Sequence, residues 1–405
     1  MPSANPMQNP AGSYYRPGLD VVRFIAFLTV FLWHALPVPP DSRIVDHLGA
    51  GVASLYELFY YCLRFGLSLF FTLSAFLIFE LLLRERHSTG TVAIKQFYVR
   101  RILRIWPLYY LGLAFAVGVA LHDGNSAQNL AALGWFAVFL GSWYLTAHGL
   151  MTIPANHLWS ISVEEQFYLF APWLAKHCSR RLLFGFCALV VVVANGTVYL
   201  VAGAMPGDLK TWANSLVQFE CFAAGILLGL FLRGRILKMH ALARVLAFTG
   251  AAGFWLVAGN LYKTFYSSSP RSGSWQLMIA YALAAAGSSL IILAMLDFRG
   301  QRHSRWAIHL GRISYGLYVS HYFVVGLVGR IAWDEMGLHG LHSHVLRGAF
   351  DFAVQIVLPF LITWVLAELS YRFFERPFLR LKQRYTVIAS QPQGDSKALP
   401  SPTAT

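Results

Sequence analysis

An all-α, polytopic transmembrane bundle of about ten spans is the fold class this sequence predicts, and three observations carry it. Of 405 residues, 57% are hydrophobic and only 12% charged, with a mean hydropathy of +0.53; a soluble chain would be about one-quarter charged. Apolar stretches of about 17–25 residues, the length that crosses a bilayer core, recur along nearly the whole chain. Basic residues cluster in every second connection between those stretches, as the positive-inside rule requires. A large soluble helical enzyme would show polar faces at a period of 3.6, which most of these stretches lack. The net charge of +14 therefore follows from topology, and no nucleic-acid partner is expected.

The predicted spans are 19–38, 64–83, 106–121, one within 131–175, 182–203, 215–232, 245–262, 276–296, 307–332 and 348–371. Connections 84–104, 176–181, 233–244 and 297–305 and the tail beyond Tyr371 are rich in Lys and Arg, whereas 39–63, 122–130, 204–214, 263–275 and 333–347 are nearly free of them. With ten spans, all the basic connections and both termini share one side, expected to be the cytoplasm. Residues 131–147 and 158–175 both look partly membranous, and the charge pattern leaves room for one full crossing between them; the other is expected to be re-entrant or interfacial. Residues 1–15 read as a short cytoplasmic segment, 16–384 as the membrane domain and 385–405 as a disordered cytoplasmic tail, Pro/Ser/Ala-rich at its end. The first fifteen residues carry no Lys or Arg and the first apolar stretch is of full span length, so an uncleaved first helix is expected rather than a signal peptide. Cys62, Cys178, Cys187 and Cys221 share no short spacing, which argues against a disulfide framework or a zinc site.

The first span, LDVVRFIAFLTVFLWHALPV, carries Asp20, Arg23 and His34. Ionisable residues are costly in lipid, so they should face the protein interior or an aqueous cavity. Arg23 and His34 are eleven residues apart, which on a helix puts them within about 20° of one another and about 16 Å apart along the axis. Asp20 lies one turn before Arg23, where an ion pair can form. Histidine titrates near neutral pH and is the commonest general base, which makes His34 the candidate catalytic base. The plainer alternative is that Asp20 and Arg23 snorkel at the interface and His34 is a hydrogen-bonded interior residue. A second polar cluster, HLWSISVEEQFYLFAP (157–172), places Glu164 and Glu165 in an aromatic, apolar setting. Adjacent glutamates point about 100° apart on a helix, so one can face a cavity while the other takes an interface position.

In order along the chain, RPGLDVVRFIAFLTVFLWH, FFTLSAFLI, FYVRRILRIWPLYY, LWSISVEEQFYLFAP, ISYGLYVSHY and FFERP resemble the successive motifs of the acyltransferase-3 family of bacterial membrane O-acyltransferases. The resemblance runs from about residue 16 to about 380, with Ala75 where glycine is usual and Ile161 where leucine is usual. It implies transfer of an acyl group, usually acetyl, from coenzyme A to a hydroxyl of a sugar, cell-envelope glycan or glycosylated natural product, at the bacterial inner membrane. Acyl-CoA is then a donor substrate, no cofactor is permanently bound, and no metal is expected. Many relatives carry an extra hydrolase-like domain, for which nothing after residue 385 provides material.

On this reading His34 is the base and Glu164 its partner, and Arg23 binds a coenzyme A phosphate, a geometry suited to arginine. Arg100, Arg101 and Arg104 are expected to form a basic turn that anchors at anionic headgroups, binds the nucleotide, or does both. Ser74, Ser160, Glu165, Tyr315, Tyr318 and His321 are candidate substrate contacts. Of these, Ser74 is first a small residue at a helix interface, and Ser314, Tyr318 and His321, close to one helical face, serve equally as interhelical polar contacts. Glu375 and Arg376 before Pro377 read as a structural ion pair at the end of the last helix. The loop HGLHSH (339–344) has three histidines but no carboxylate or cysteine, and reads as solvated. The leading alternative is a secondary transporter using His34, Arg23 and Glu164 as a proton or anion path, but the paired repeats of such folds are not evident. A glycosyltransferase would want an Asp-x-Asp arrangement in the outer loops, and they have none.

Overall fold

The computed structural model describes residues 14–39, 50–122, 126–204, 209–267, 274–298, 305–334 and 353–388, all helix and connection with no β-strand among them. The HGLHSH loop, most of 1–15 and the tail from 389 onward lie outside the described residues.

Helix α1 (Pro17–Ala35) starts where Pro17 supplies a preset φ at the first helical position, with Arg16 extended before it. It stops three residues short of the expected 38, because Leu36, which precedes Pro37, is pushed to extended geometry (φ −77°, ψ 146°). The stretch read as an outer connection, 39–63, contains a helix, α2 (Ala50–Leu63), which runs through a two-residue turn at Arg64 and Phe65 into α3 (Gly66–Thr89). Gly66 lets α3 cross α1 closely: a Cβ there would lie 2.0 Å from Thr29 Oγ1 and 2.8 Å from the Ala26 carbonyl. Helix α4 (Ile94–His122) includes Pro107 and takes up the part of the basic segment beyond Ile94, so Arg100, Arg101 and Arg104 sit on a helix and not in a turn.

The 131–147 segment is divided between α5 (Ser126–Ala137) and α6 (Gly141–His148), separated at Phe139, whose φ of 57° breaks the helix. The glutamate segment is a continuous 19-residue helix, α7 (Trp159–His177), about 28 Å long at 1.5 Å per residue. Then come α8 (Arg180–Ala204), the single turn α9 (Leu209–Trp212), α10 (Ser215–Leu232), α11 (Ala241–Ser267), α12 (Trp275–Met295), α13 (Arg305–Arg312) and α14 (Ser314–Asp334). The last element begins with a π-turn at Ala353–Val357 and continues as α15 (Leu358–Leu369). Pro377 does not end it: a second π-helical stretch (Ser370–Glu375) leads directly into α16 (Arg376–Gln383), whose first turn holds the proline where no N–H is needed.

Among the described residues, eight helices are long and apolar enough to cross a membrane: Pro17–Ala35, Gly51–Thr89, Ile94–His122, Arg180–Ala202, Ser215–Leu232, Ala241–Tyr266, Trp275–Met295 and Ala353–Gln383. The helices over 131–175 and 307–332 lie outside that set. The outward faces are apolar, with Leu189, Val192 and Leu200 on α8 and Leu242, Val245 and Leu246 on α11 exposed. The interior holds Asp20, Glu80, Glu85, Glu220 and His321. Apolar outside and polar inside is the pattern of a bundle solvated by lipid, so the chain is a polytopic helical membrane protein.

Candidate functional site

The polar interior surrounds a cavity of about 450 Å³. One wall is a stripe of α3, Leu67, Phe70, Ser74, Leu77 and Leu81, residues three and four apart that share a helix face. From Leu67 to Leu81 that stripe is about 21 Å long at 1.5 Å per residue. The first two turns of α1 add Asp20 and Arg23, α4 adds Arg101 and Arg104, α7 adds Ser160 and Glu164, and α14 adds Ser314, Tyr315 and Tyr318. Exposed Arg376, Arg380 and Gln383 of α16 rim the Leu81 end, which makes that end the mouth. Tyr14, just before α1, lies under the Arg84 guanidinium at 4.5 Å from its ring centre. Burial holds its phenol above the ordinary range, so it faces the cavity as a neutral hydroxyl.

The mouth is strongly cationic. Arg23 forms the expected ion pair with Asp20, and Arg312 approaches the other Asp20 oxygen at 4.0 Å. Arg101 stacks on the rings of Tyr168 and Phe97 at 5.6 and 5.7 Å. Arg104 lines the cavity directly. Arg100 is turned away: it binds Glu85 (3.2 Å) and donates to the Tyr385 carbonyl (2.7 Å), so it is not brought to the site and serves as a strut instead.

Glu164 lies in the cavity wall, where it accepts the Tyr168 hydroxyl (3.3 Å), which in turn takes the Ser74 hydroxyl (2.5 Å). Glu165 faces elsewhere and accepts from the Trp106 indole (3.1 Å). The structure does not bring Glu164 to His34. The partner of His34 is His321, the ring nitrogens Nδ1 of His34 and Nε2 of His321 lying 3.1 Å apart. Tyr315 donates to the Ile105 carbonyl (2.7 Å), holding α14 to α4. Ser160 bonds Tyr318, whose hydroxyl also donates to the His157 carbonyl (3.0 Å). Glu375 takes the Ser370 hydroxyl (3.1 Å) rather than pairing with Arg376.

The histidine contacts dictate proton positions. His321 Nδ1 faces the Tyr318 carbonyl at 2.6 Å, and a carbonyl can only accept, so Nδ1 carries the hydrogen. In the neutral ring Nε2 is then a bare acceptor, and His34 must donate to it from Nδ1. The outcome is that His34 presents an unprotonated Nε2, the atom a general base needs. His157 obeys the same logic: its Nε2 donates to the Val319 carbonyl (3.0 Å), leaving a buried Nδ1 with no partner among the described residues.

His34 does not line the large cavity. It borders a second, small one of about 40 Å³ with Trp33, Arg64, His157, Trp159 and Trp212. Leu67 and Tyr318 face both cavities and form the partition. Arg64, in the turn between α2 and α3, is enclosed by the rings of Tyr262 (3.9 Å), Trp212 (4.0 Å) and Trp33 (5.0 Å). His157, Arg64 and Tyr168 were not singled out from sequence. His157 stands directly beside the glutamate motif, whereas the Arg64 box needs residues some 200 positions away. Among the described residues no group of three or more His, Cys, Asp or Glu is placed to hold a metal.

The profile of the family described as "Acyltransferase domain" matches residues 16–368. A protein of Staphylococcus aureus strain MSSA476, provisionally named an O-acetyltransferase, is 24% identical over 390 residues, covering 90% of this chain and 57% of its own length. O-acetyltransferase OatA of Staphylococcus aureus strain MRSA252 is 22% identical over 406 residues, covering 95% of this chain and 60% of its own. The chain thus spans somewhat more than half the length of these relatives. No solved structure matches it. With a family match over 16–368 that takes in the cavity walls supplied by α1, α3, α4, α7 and α14, the chain belongs to the acyltransferase-3 family.

Proposed function

We propose that the protein is an O-acyltransferase, an O-acetyltransferase by likeness to its relatives, that moves the acyl group of acyl-CoA to a hydroxyl of a sugar, cell-envelope glycan or glycosylated natural product. The single observation that carries this reading is the shape and charge of the large cavity. Guanidinium groups crowd its mouth, and an apolar stripe about 21 Å long leads inward to the partition in front of His34. The pantetheine arm of coenzyme A, comparable in reach to a peptide of about five extended residues or about 17 Å, fits that length with its phosphates among the arginines. The apolar walls exclude bulk water from the thioester.

With the thioester brought past Leu67 and Tyr318 to His34, His34 Nε2 takes the proton of the acceptor hydroxyl as its oxygen attacks the thioester carbonyl. The tetrahedral intermediate expels the coenzyme A thiolate, and the imidazolium returns the proton to sulfur. His321 Nε2 accepts the Nδ1 hydrogen throughout and holds the ring in the required tautomer. The acceptor hydroxyl reaches His34 from the side of the small cavity, whose wall also carries His157 with its buried, unpartnered Nδ1. Our reading, supported by the positive-inside pattern, sets the mouth and both termini on the cytoplasmic side of a bacterial inner membrane. Transfer is direct or passes through an acyl-histidine, and exposure to labelled acetyl-CoA without acceptor distinguishes the two by label on protein.

Membrane vesicles containing the protein, given acetyl-CoA labelled in the acetyl group, should transfer label to envelope glycan or a secreted glycosylated metabolite. His34→Ala should abolish it. Transfer that survives this substitution overturns the mechanism.

A further inference from the structure

Lys382 is 7% exposed, although its neighbours on α16, Arg376 and Arg380, are exposed. It borders the large cavity, and among the described residues its ammonium makes no hydrogen bond or ion pair. The charges that act on it most, Arg104, Arg101, Arg23 and Arg100, all have its own sign. A buried cation surrounded by cations is expensive unless an anion joins it.

Arg104, across the cavity on α4, is in a similar position. It lines the same space and forms no hydrogen bond or ion pair among the described residues, with Asp20 and Glu375 the carboxylates whose charge it feels at longer range. Of the other inward guanidiniums, Arg23 pairs with Asp20 and Arg312 bonds Tyr15 (3.1 Å), while Arg16 and Arg101 lie against the rings of Tyr14 and Tyr168 and each keeps a buried Nε without a hydrogen-bond partner among the described residues. The Lys382 backbone is held in place, because Arg100 clamps the Tyr385 carbonyl to α4 and the Tyr385 N–H donates to the Lys382 carbonyl at 3.1 Å. Such anchoring presents a charged group at a defined spot.

We propose that Arg104 and Lys382 form a clamp for a phosphate monoester, and that it grips the 3′-phosphate at the nucleotide end of the donor. Two unpaired cations match a monoester, which carries about −1.5 to −2 charges at pH 7, better than either singly charged phosphate of the pyrophosphate bridge. The clamp rests on the reading of the large cavity as the donor site, and it makes α16, beyond the matched family region, part of that site. The shared chemistry, a phosphate held by two cations, is also offered by the headgroup of an anionic lipid.

The full-length protein, purified in a neutral detergent, is titrated with coenzyme A, dephospho-coenzyme A and adenosine 3′,5′-bisphosphate. Wild type should prefer coenzyme A over its dephospho form by about tenfold or more, the worth of one lost charge-assisted contact. Lys382→Met and Arg104→Met should each bring the two ligands close to parity, and Lys382→Arg should keep the preference. A preference unchanged in both Met variants overturns the clamp, as does an equal loss of affinity for both ligands, which would move the contact to the pyrophosphate. If wild type binds none of the three ligands, the donor reading fails first and the clamp with it. A parallel set in phosphatidylcholine nanodiscs with and without phosphatidylglycerol separates the sources. Thermal stabilisation by phosphatidylglycerol that disappears in Lys382→Met, with the coenzyme A preference intact, assigns the clamp to lipid and overturns it as a donor contact.

Discussion

Nε2 of His321 lies 3.1 Å from Nδ1 of His34, while Nδ1 of His321 is committed to the Tyr318 carbonyl at 2.6 Å. One carbonyl thereby sets the proton positions on two imidazoles joined across 287 residues of sequence. Replacing His321 by leucine keeps bulk but removes the acceptor, freeing His34 to choose the wrong tautomer. Transfer should fall on the order of 10²-fold, the lower range for loss of a tuned general base, with the Michaelis constant for acetyl-CoA little changed. His321→Gln, whose amide oxygen can accept from His34, should recover part of the loss. A rise in that constant with unaltered turnover would instead make His321 a donor contact.

Glu164 belongs to a different network, Ser74 to Tyr168 to Glu164, with Arg101 over the Tyr168 ring. Glu164→Gln keeps an acceptor for the Tyr168 hydroxyl, whereas Glu164→Leu leaves that buried hydroxyl without one. The leucine variant should lose about 1–3 kcal/mol of stability, the cost of leaving a buried polar partner unmet, and the glutamine variant much less. Thermal unfolding in detergent reads the difference. Equal losses would mean that the charge of Glu164 matters more than its hydrogen bond.

What could be read from sequence was local. Length and the absence of charge located the long apolar helices, and three-residue spacing foretold the Asp20–Arg23 pair, whereas the first span expected from sequence runs to 38, past the Pro37 that ends α1 at Ala35. Placing Arg23 and His34 on one stripe was sound helix geometry, yet the two face different cavities because α3 and Tyr318 divide the space between them. Arg100, Arg101 and Arg104 looked equivalent in FYVRRILRIW. A helix sends them in different directions, so Arg104 reaches the cavity and Arg100 ties down the C-terminal chain. The His34–His321 bond and the inward turn of Lys382 depend on tertiary contacts between distant helices, and no spacing within one helix reports them.

Gly225 of α10 is set against α3 so closely that a Cβ would lie 2.3 Å from the Thr72 carbonyl and 2.7 Å from the Ala75 Cβ. Ala75 is fully buried at this crossing, so closeness that a glycine on α3 would permit is supplied instead by the glycine on α10. Gly225→Ala should therefore push the helices apart and cost about 1–3 kcal/mol, the usual penalty of overpacking. The double variant Ala75→Gly, Gly225→Ala should regain part of this but not all, because the Thr72 carbonyl does not move with it. Melting temperatures of the single and double variants check the ordering, and no recovery in the double would place the whole penalty on the carbonyl.

Tyr318 is the side chain on which the two-cavity arrangement turns. It faces the large cavity on one side and the His34 cavity on the other, bolted by its hydroxyl to Ser160 and to the His157 carbonyl. Removing only the hydroxyl, in Tyr318→Phe, leaves the partition standing but unpinned. Removing the ring, in Tyr318→Ala, joins the spaces and lets water from the acceptor side reach the thioester. Transfer should then drop on the order of 10²-fold, as when reacting groups lose their registration. Release of free coenzyme A in the absence of acceptor should rise in the same variant. Thiol release measured in acceptor-free vesicles decides it: if Tyr318→Ala hydrolyses acetyl-CoA no faster than wild type, the partition is not what keeps water from the thioester, and that duty passes to Leu67 and the apolar stripe of α3.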